Sequence, residues 1–173
     1  MRVPVPKRSP TIAGKGGGAL KPADPQKVIA AAHGWIGTPY HDQASVKGVG
    51  CDCLGLARGV WREVVGSETL PVPPYSRDWG ETGGREVLAD SAARVLIRID
   101  PLEADPGSVV LFRMRTGAIV KHVGILTGEG SFIHSYERLG VIEEPLTLAW
   151  RRRIAFAFLF PRPAPKPRRK KKT

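Results

Sequence analysis

The period of the hydrophobic pattern changes once along this chain, from a helical repeat to an alternating one. Apolar residues recur three or four positions apart in residues 24–65, whereas residues 95–160 hold short apolar or alternating runs separated by glycine, proline or aspartate. These runs are VLIRI, SVVLFRM, KHVGILTG, SFIHSY, GVIEEP and RIAFAFLF. Helices followed by short strands with tight turns predict an α+β fold with an antiparallel sheet of five or six strands.

Two helices are predicted in the first half of the chain. The first begins in DPQKVIAAAH, where Asp24 is a suitable N-cap and Pro25 occupies the first helical position. The second is expected over residues 53–65, because its apolar residues share one face and Gly66 follows it. The proline-rich segment SETLPVPPYSRDW is predicted to be a surface loop, with a short helix after it around residues 85–93.

Positive charge is concentrated at the two ends of the chain. The net charge of +11 arises from residues 1–21, which hold five basic residues and no acid, and residues 162–173, which hold seven basic residues and no acid. Both ends are poor in large apolar residues, so we predict flexible basic arms over residues 1–22 and 162–173 and one domain over residues 23–161. The arms could contact an anionic polymer, a nucleic acid or an acidic partner surface, or act only as solubilising tails.

Neither a membrane span nor a signal peptide is predicted. No apolar run reaches the roughly 20 residues that a membrane helix needs. The sequence MRVPVPKRSPTIAGKGGGALK lacks the apolar central region of a secretory signal. Export by the ordinary route is therefore not expected.

Both cysteines of the chain lie in GVGCDCLGLARGVW, where only Asp52 separates Cys51 from Cys53. A disulfide between residues two positions apart would close a strained ring. A zinc site would need two more ligands, which His122 and His134 could supply, but C-x-C is not the usual spacing. We expect neither a disulfide nor a metal, and interpret Cys51 as a small buried apolar residue.

Cys53 differs from Cys51 because it lies at the predicted start of the second helix. Unpaired backbone N–H groups and the positive end of the helix dipole favour a thiolate at such a position. Cys53 is therefore a candidate nucleophile, and it needs a base that functions near neutral pH. The side chains suited to that role are the histidines: His33, His41, His122 and His134.

Two of these histidines lie on strands that are predicted to be adjacent. His122 in KHVGILTG and His134 in SFIHSY flank the turn TGEGS, so an antiparallel pairing could place both rings on one face of the sheet. His33 lies near the end of the first helix, where a solvated or capping role is expected, and His41 lies in a loop from which it could line the site. A thiol, an imidazole and a second polar group suit acyl transfer. A purely structural role for the strand histidines is the alternative.

Several motifs occur in an order that resembles a known family. GTPY, GCDCLGLARGVW, PGSVVLF, KHVGIL and FIHS follow one another as in the NlpC-type cell-wall cysteine peptidases. The segments GCDCLGL, PPYSRDW and RRRIAFAF resemble the subgroup found in phage tails and gene transfer agents. The resemblance covers residues 24–161 and neither basic arm.

This resemblance implies a papain-like fold, with the nucleophile helix packed on the antiparallel sheet, and hydrolysis of the peptidoglycan stem peptide next to D-glutamate. It implies that Cys53 is the nucleophile, His122 the general base and His134 the residue that orients it. Tyr40 would position the substrate or the oxyanion, and Asp52 would meet a free amine of the stem peptide. No metal or organic cofactor is implied.

The chain also departs from the family pattern. Leu54 stands where many members have serine, which removes a hydroxyl contact to substrate, and Ser108 replaces a common aspartate, which we interpret as a turn variation. A cell-wall amidase with the same cysteine chemistry is an alternative activity. The subgroup implies tail or baseplate hub proteins as partners, assembly in the bacterial cytoplasm and action on the cell wall from a virion tail tip. A structural tail protein with a vestigial site is the alternative to an enzyme.

Overall fold

A computed structural model describes residues 20–72, 75 and 83–164 of the chain. Within this part, four helices and eight strands alternate with short turns. The helices are α1 (Pro25–His33), α2 (Cys53–Val64), α3 (Val87–Val95) and α4 (Leu148–Arg151). The strands are β1 (Ser45–Val46), β2 (Gly50–Cys51), β3 (Ile97–Ile99), β4 (Val109–Phe112), β5 (His122–Gly128), β6 (Ser131–Tyr136), β7 (Gly140–Pro145) and β8 (Ile154–Leu159).

The helices begin where their capping residues predict. Asp24 precedes α1 and accepts a 2.9 Å hydrogen bond from the backbone N–H of Gln26, while Pro25 opens the helix. Helix α2 begins at Cys53, as predicted, and ends one residue before the predicted Val65. Helix α3 starts two residues later than expected, at Val87, and the side chain of Glu86 accepts a 2.9 Å hydrogen bond from the N–H of Val120 instead of capping the helix.

Six strands form one antiparallel sheet in the order β3-β8-β4-β5-β6-β7. The predicted α+β class and the antiparallel sheet are thereby confirmed. The last strand, β8, inserts between β3 and β4, an arrangement that periodicity alone could not indicate. The strands that carry the two predicted site histidines, β5 and β6, are direct neighbours.

A two-stranded hairpin of β1 and β2 precedes α2 and was not predicted. Each of its strands has two residues, which is too short to produce a detectable alternation. Cys51 belongs to β2 and also forms a parallel bridge with Tyr40. The hairpin thus fixes the backbone immediately before the helix that carries Cys53.

Alternation along the central strands divides the core between the two faces of the sheet. Val123 and Ile125 of β5 pack with the buried faces of α1 and α2. Leu126 lies in a second cluster, with Phe112, Phe132 and the nearby indole of Trp150. The rings of His122 and His134 belong to this second side. Every helix in the described residues is too short or too polar to cross a bilayer.

Most of the two predicted arms, and most of the segment PPYSRDW, lie outside the described residues. The described inner ends of the arms are paired with each other. The backbone N–H of Arg162 donates a 2.7 Å hydrogen bond to the carbonyl of Lys21, and Pro22 forms an antiparallel bridge with Pro161. The chain therefore enters and leaves residues 23–160 at one place.

Candidate active site

The start of α2 is organised by the carboxylate of Asp52. Its Oδ1 accepts a 2.7 Å hydrogen bond from the backbone N–H of Gly55, which makes Asp52 the N-cap of the helix. Its Oδ2 accepts hydrogen bonds from the backbone N–H of Gln43 at 2.8 Å and from the hydroxyl of Tyr75 at 2.5 Å. The carboxylate is 4% exposed and already has three donors, so its first role is to hold the helix start against two loops.

The thiol of Cys53 lies against the backbone at the beginning of β5. Its sulfur is 3.8 Å from the carbonyl oxygen of Lys121, the residue directly before His122. The N–H of Val123, directly after His122, also faces the sulfur and lowers the pKa of the thiol. Helix α2 therefore places the Cys53 sulfur against the backbone of Lys121 and Val123, the two neighbours of the predicted base His122.

Burial has the largest effect on the protonation of Cys53. Desolvation, followed by the nearby charge of Asp52, raises the pKa of the thiol to about 12. The backbone N–H groups of Val123, Leu54 and Cys53 itself act in the opposite direction but do not outweigh burial. The resting group at neutral pH is the thiol.

His122 and His134 are joined by a short hydrogen bond. Nε2 of His122 lies 2.7 Å from Nδ1 of His134, and the two rings are perpendicular at 80°. Burial, with a contribution from His134, lowers the pKa of His122 to about 3, and burial lowers the pKa of His134 to about 4. Both imidazoles are therefore neutral at neutral pH, the state in which one can accept a proton.

No hydrogen bond joins the sulfur of Cys53 to the ring of His122 in the described structure, where the bonded ring nitrogen is Nε2. Nδ1 of His122 has no hydrogen-bond partner among the described residues. A catalytic contact of this kind can be long in the absence of substrate. A hydrogen bond thus joins His122 to His134 directly. Cys53 contacts the backbone next to His122 and not its ring.

A carboxylate lies behind the histidine pair, and sequence reasoning missed it. Oε1 of Glu144 is 2.8 Å from Nε2 of His134, an ion-pair distance, although the alignment is not that of a hydrogen bond. Glu144 pairs with Phe132 across β6 and β7, and so lies on the same face of the sheet as His134. Alternation along GVIEEP could have shown that face, but only if the register between the strands had been known.

Aromatic rings enclose the histidine pair. The ring of Trp150 is stacked on that of His122 with a distance of 5.9 Å between the ring centroids. The centroid of the Phe112 ring lies 5.8 Å from that of His122. Phe132 lies 4.5 Å from His134. These rings exclude water from the imidazoles and are the source of the desolvation that lowers their pKa values.

Cys53 also lines an open cleft of about 360 Å³. Its lining contains three acidic residues (Asp42, Asp52 and Glu137) and one lysine, Lys121. The remaining lining residues are Tyr40, Gln43, Cys53, Leu54, Tyr75, Leu88 and Val120. Tyr75 was not predicted as a site residue. It belongs to PPYSRDW, one of the segments that carry the family resemblance, and that segment could have indicated it.

The two remaining predicted binding residues occupy different places. Tyr40 lines the cleft, and its hydroxyl donates a 2.8 Å hydrogen bond to Asp42; burial and this carboxylate raise the pKa of the phenol. The ring of His41 lies outside the described lining of the cleft, and its Nδ1 is 3.2 Å from the carbonyl oxygen of Asp42. Substrate contacts by Tyr40, His41 and Asp52 stay predictions.

Cys51 is completely buried, and both cysteines are free thiols. Burial raises the pKa of the Cys51 thiol to about 11, and its carbonyl accepts a 2.8 Å hydrogen bond from the hydroxyl of Ser135. Among the described residues, no group of three or more His, Cys, Asp or Glu side chains could hold a metal ion. Cys51 therefore has a packing role next to the site.

The structure places the Cys53 thiol beside the strand that carries the hydrogen-bonded pair His122 and His134. Known proteins are similar to this chain in sequence. The NlpC/P60 family profile matches residues 37–156. Murein DD-endopeptidase MepS/Murein LD-carboxypeptidase of Escherichia coli is 32% identical over 123 residues, which cover 69% of this chain and 54% of that protein. The chain thus spans about half the length of the curated relatives it matches.

Solved structures agree on the fold. The NlpC/p60 domain of peptidoglycan hydrolase SagA has a TM-score of 0.53 at 23% identity, with 78% of this chain and 97% of that domain covered. A protein of Staphylococcus aureus described as similar to lipoprotein, NLP/P60 family, has a TM-score of 0.56 at 20% identity, with 83% of this chain and 44% of that protein covered. The expected papain-like α+β fold is confirmed. Since the family match extends over the residues that hold Cys53, His122 and His134, the chain belongs to the NlpC/P60 family.

Proposed function

We propose that this protein is a cysteine peptidase that hydrolyses peptide bonds in the stem peptide of peptidoglycan. The observation that carries the proposal is the position of the Cys53 thiol at the start of α2, against the backbone on both sides of His122, whose ring is bonded to His134. Murein and peptidoglycan are the substrates named for two of the relatives. The family and the site chemistry therefore support the same reaction.

The reaction starts from a neutral pair. Nδ1 of His122 accepts the proton of the Cys53 thiol as the sulfur bonds to the carbonyl carbon of the scissile peptide. Backbone N–H groups at the start of α2, including that of Cys53, stabilise the oxyanion in the proposed reaction. The protonated His122 then donates its proton to the leaving amine, and an acyl-enzyme remains.

Water completes the cycle. His122, neutral again, accepts a proton from the attacking water, the oxygen bonds to the acyl carbon, and the carbon–sulfur bond breaks. The thiolate recovers its proton from His122, which returns both side chains to their neutral resting state. His134 keeps the ring of His122 in one orientation through both steps.

The charge of the cleft favours substrates that carry amines. Its described lining has the carboxylates of Asp42, Asp52 and Glu137 against one lysine, Lys121. Asp52 already accepts three hydrogen bonds, so an amine of the stem peptide would share this carboxylate with Gln43 and Tyr75 rather than find it unoccupied. Leu54 lines the same cleft and offers an apolar contact there.

The biological setting that we propose is local digestion of the cell wall from a phage tail tip or a gene-transfer-agent baseplate, next to hub proteins of that assembly. Support comes from the segments GCDCLGL, PPYSRDW and RRRIAFAF, which resemble that subgroup. The names of the relatives reported above do not mention a tail or a baseplate, so this setting rests on the sequence segments. Immunogold labelling of purified particles would test it, and a protein absent from every tail would contradict it.

The activity is tested by digestion of purified sacculi. Wild type and Cys53→Ala are incubated with sacculi of different stem-peptide chemistry, and the released fragments are identified by mass spectrometry. We expect fragments cut within the stem peptide with wild type and none with Cys53→Ala. Cys51→Ser is the matched control, and it should retain turnover because Cys51 lies in the core.

Other outcomes of the same experiment distinguish the alternatives. Release of intact stem peptides from the glycan would identify an amidase with the same nucleophile. Intact sacculi after treatment with every variant would favour a structural protein with a vestigial site. Equal release by wild type and Cys53→Ala would remove Cys53 from the mechanism.

A further inference from the structure

We propose that Glu144 is a positioning residue that fixes the tautomer of the His134–His122 pair, so that Nδ1 of His122 carries the lone pair needed by the thiol. The inference rests on the proposed function only for its effect on turnover. Its geometric basis is a chain of close contacts from Glu144 to His134 and from His134 to His122. The carboxylate of Glu144 lies 2.8 Å from one nitrogen of His134, and the other nitrogen of His134 lies 2.7 Å from His122.

Burial makes the contact with Glu144 important. The side chain of His134 is fully enclosed, and its Nε2 has no hydrogen-bond partner among the described residues. An N–H group in such a place is costly unless an acceptor lies close to it. Glu144 reaches it from the rim, with a side chain that is 32% exposed.

A single proton occupies the hydrogen bond between the two imidazoles, which leaves two neutral arrangements. In the first, Nε2–H of His122 donates to Nδ1 of His134, so Nδ1 of His122 is unprotonated and His134 carries its proton on Nε2. In the second, Nδ1–H of His134 donates to Nε2 of His122, so Nδ1 of His122 carries a proton and cannot accept another. Only the first arrangement can take the proton of Cys53.

An ionised carboxylate accepts hydrogen bonds and does not donate them. Glu144 therefore attracts the proton on Nε2 of His134 in the first arrangement, and faces a lone pair in the second. Among the described residues, the aromatic rings other than His122 that contact His134 are those of Phe132, Tyr136 and Trp150, with ring centroids 4.5 Å, 5.4 Å and 5.4 Å away. None of these supplies a carboxylate, so the choice between the arrangements falls to Glu144.

The same contact also acts during the reaction. When His122 accepts the thiol proton it becomes positively charged in an aromatic environment that disfavours charge. The negative charge of Glu144, transmitted through the hydrogen-bonded His134, stabilises that imidazolium. Loss of the carboxylate should therefore lower kcat more than it changes KM.

The chain offers a matched control in the neighbouring residue. Glu143 lies on the same strand, but its carboxylate contacts Thr127 and His33 instead of His134. Glu144→Ala should reduce kcat on purified muropeptides by at least about tenfold, which is part of the roughly 10²–10⁴-fold that general-base catalysis contributes. Glu143→Ala should stay within about twofold of wild type, the margin expected for an exposed substitution that touches no reacting group.

A double-mutant cycle separates positioning from a general structural effect. In a His134→Asn background there is no ring nitrogen for Glu144 to hold, so adding Glu144→Ala should have little further effect on kcat. An equal loss in both backgrounds would contradict a role that acts through His134, and an unchanged kcat in Glu144→Ala alone would overturn the proposal. Glu144→Gln, which keeps the side-chain volume, serves in place of Glu144→Ala if the alanine variant does not fold.

A spectroscopic measurement tests the tautomer without any turnover. Nitrogen-15 NMR of Cys53→Ala, labelled at histidine, should show His122 protonated at Nε2 and unprotonated at Nδ1. In Cys53→Ala with Glu144→Ala, the Nδ1-protonated form of His122 should increase, whereas Cys53→Ala with Glu143→Ala should match the parent. Identical tautomers in all three proteins would refute the inference, and a Glu144-dependent tautomer in a protein that cleaves no sacculi would refute only the proposed function.

Discussion

At the scale of single residues, Asp52 sets both the position and the reactivity of the neighbouring thiol. Its hydrogen bonds to Gly55, Gln43 and Tyr75 fix the backbone from which Cys53 projects. Its negative charge contributes to raising the pKa of that thiol. The same carboxylate therefore improves the geometry of the nucleophile and disfavours its ionised form.

Replacement of this charge should make the thiol more reactive. Asp52→Asn keeps an N-cap side chain but removes the charge, so the pKa of Cys53 should fall and iodoacetamide should alkylate Cys53 faster at pH 7. We also expect a loss of about 1–2 kcal/mol in the free energy of unfolding, because an amide cannot accept all three hydrogen bonds. Asp24→Asn, at the cap of α1, is the control, and it should leave the alkylation rate unchanged. A slower reaction of the Asp52 variant would show that the charge favours the thiolate.

The pH dependence of alkylation tests the neutral resting state. Because the pKa of Cys53 is about 12 and that of His122 about 3, the thiolate fraction should rise about tenfold per pH unit between pH 6 and 10. The measurement is the rate of iodoacetamide labelling in Cys51→Ser, in which the other thiol is absent. A rate that is constant between pH 5 and 8 would instead indicate a preformed thiolate–imidazolium pair.

At the scale of elements, α2 holds the site because two of its glycines allow close contact. A Cβ on Gly59 would lie 1.9 Å from the ring of Trp35, and one on Gly55 would lie 1.9 Å from the backbone oxygen of Ala44. The first contact seats the helix against the turn after α1, and the second seats its first turn against the loop before β1. The start of the helix, and with it Cys53, is placed by these contacts.

Gly59→Ala should therefore destabilise the protein. We expect a loss of about 1–3 kcal/mol in the free energy of unfolding measured in urea, the usual cost of overpacking a core, although alanine has the higher helix propensity. Gly130→Ala is the control, since a Cβ there meets no atom within 4 Å. Equal stability of the two variants would mean that Trp35 moves aside without cost.

The elements differ in how well the sequence predicts them. Helices α1 and α2 and the six strands of the sheet follow from local periodicity and caps, and the two strand histidines follow from the turn between β5 and β6. The hairpin of β1 and β2 and the four-residue α4 are too short to leave a periodic pattern, so Trp150 beside His122 could not be found. Glu144 and Tyr75 join the site through tertiary contacts, which depend on strand register and loop position rather than on any local pattern.

At the scale of the whole molecule, the buried histidines link stability to pH. The pKa values of His122 and His134 in the folded protein are about 3 and about 4, below the value near 6.5 of an unfolded histidine. Between these values the unfolded chain binds protons that the folded protein does not, so the free energy of unfolding should fall as the pH falls below about 6.5. The contribution of the pair is complete above that pH.

The window from pH 7.5 to 5 is the best one for this effect, because the ordinary pKa values of carboxylates lie below it. The urea midpoint should decrease across the window, and it should decrease less in His134→Gln, which removes one of the two groups. His41→Gln is the comparison variant, since it removes an exposed histidine and neither member of the buried pair. A wild-type midpoint that does not change between pH 7.5 and 5 would show that the folded histidines titrate as in the unfolded chain.

The pairing of Pro22 with Pro161, and of Lys21 with Arg162, has an architectural consequence. Two hydrogen-bonded backbone segments run about 5 Å apart, so whatever precedes and follows this domain is attached to it at a single point. A host protein could therefore receive residues 20–164 as an insertion within one surface loop, because the two junctions would not force the loop apart. Such an insertion would make the domain a transferable unit. The host protein would determine where it is located, and the inserted domain would contribute its site.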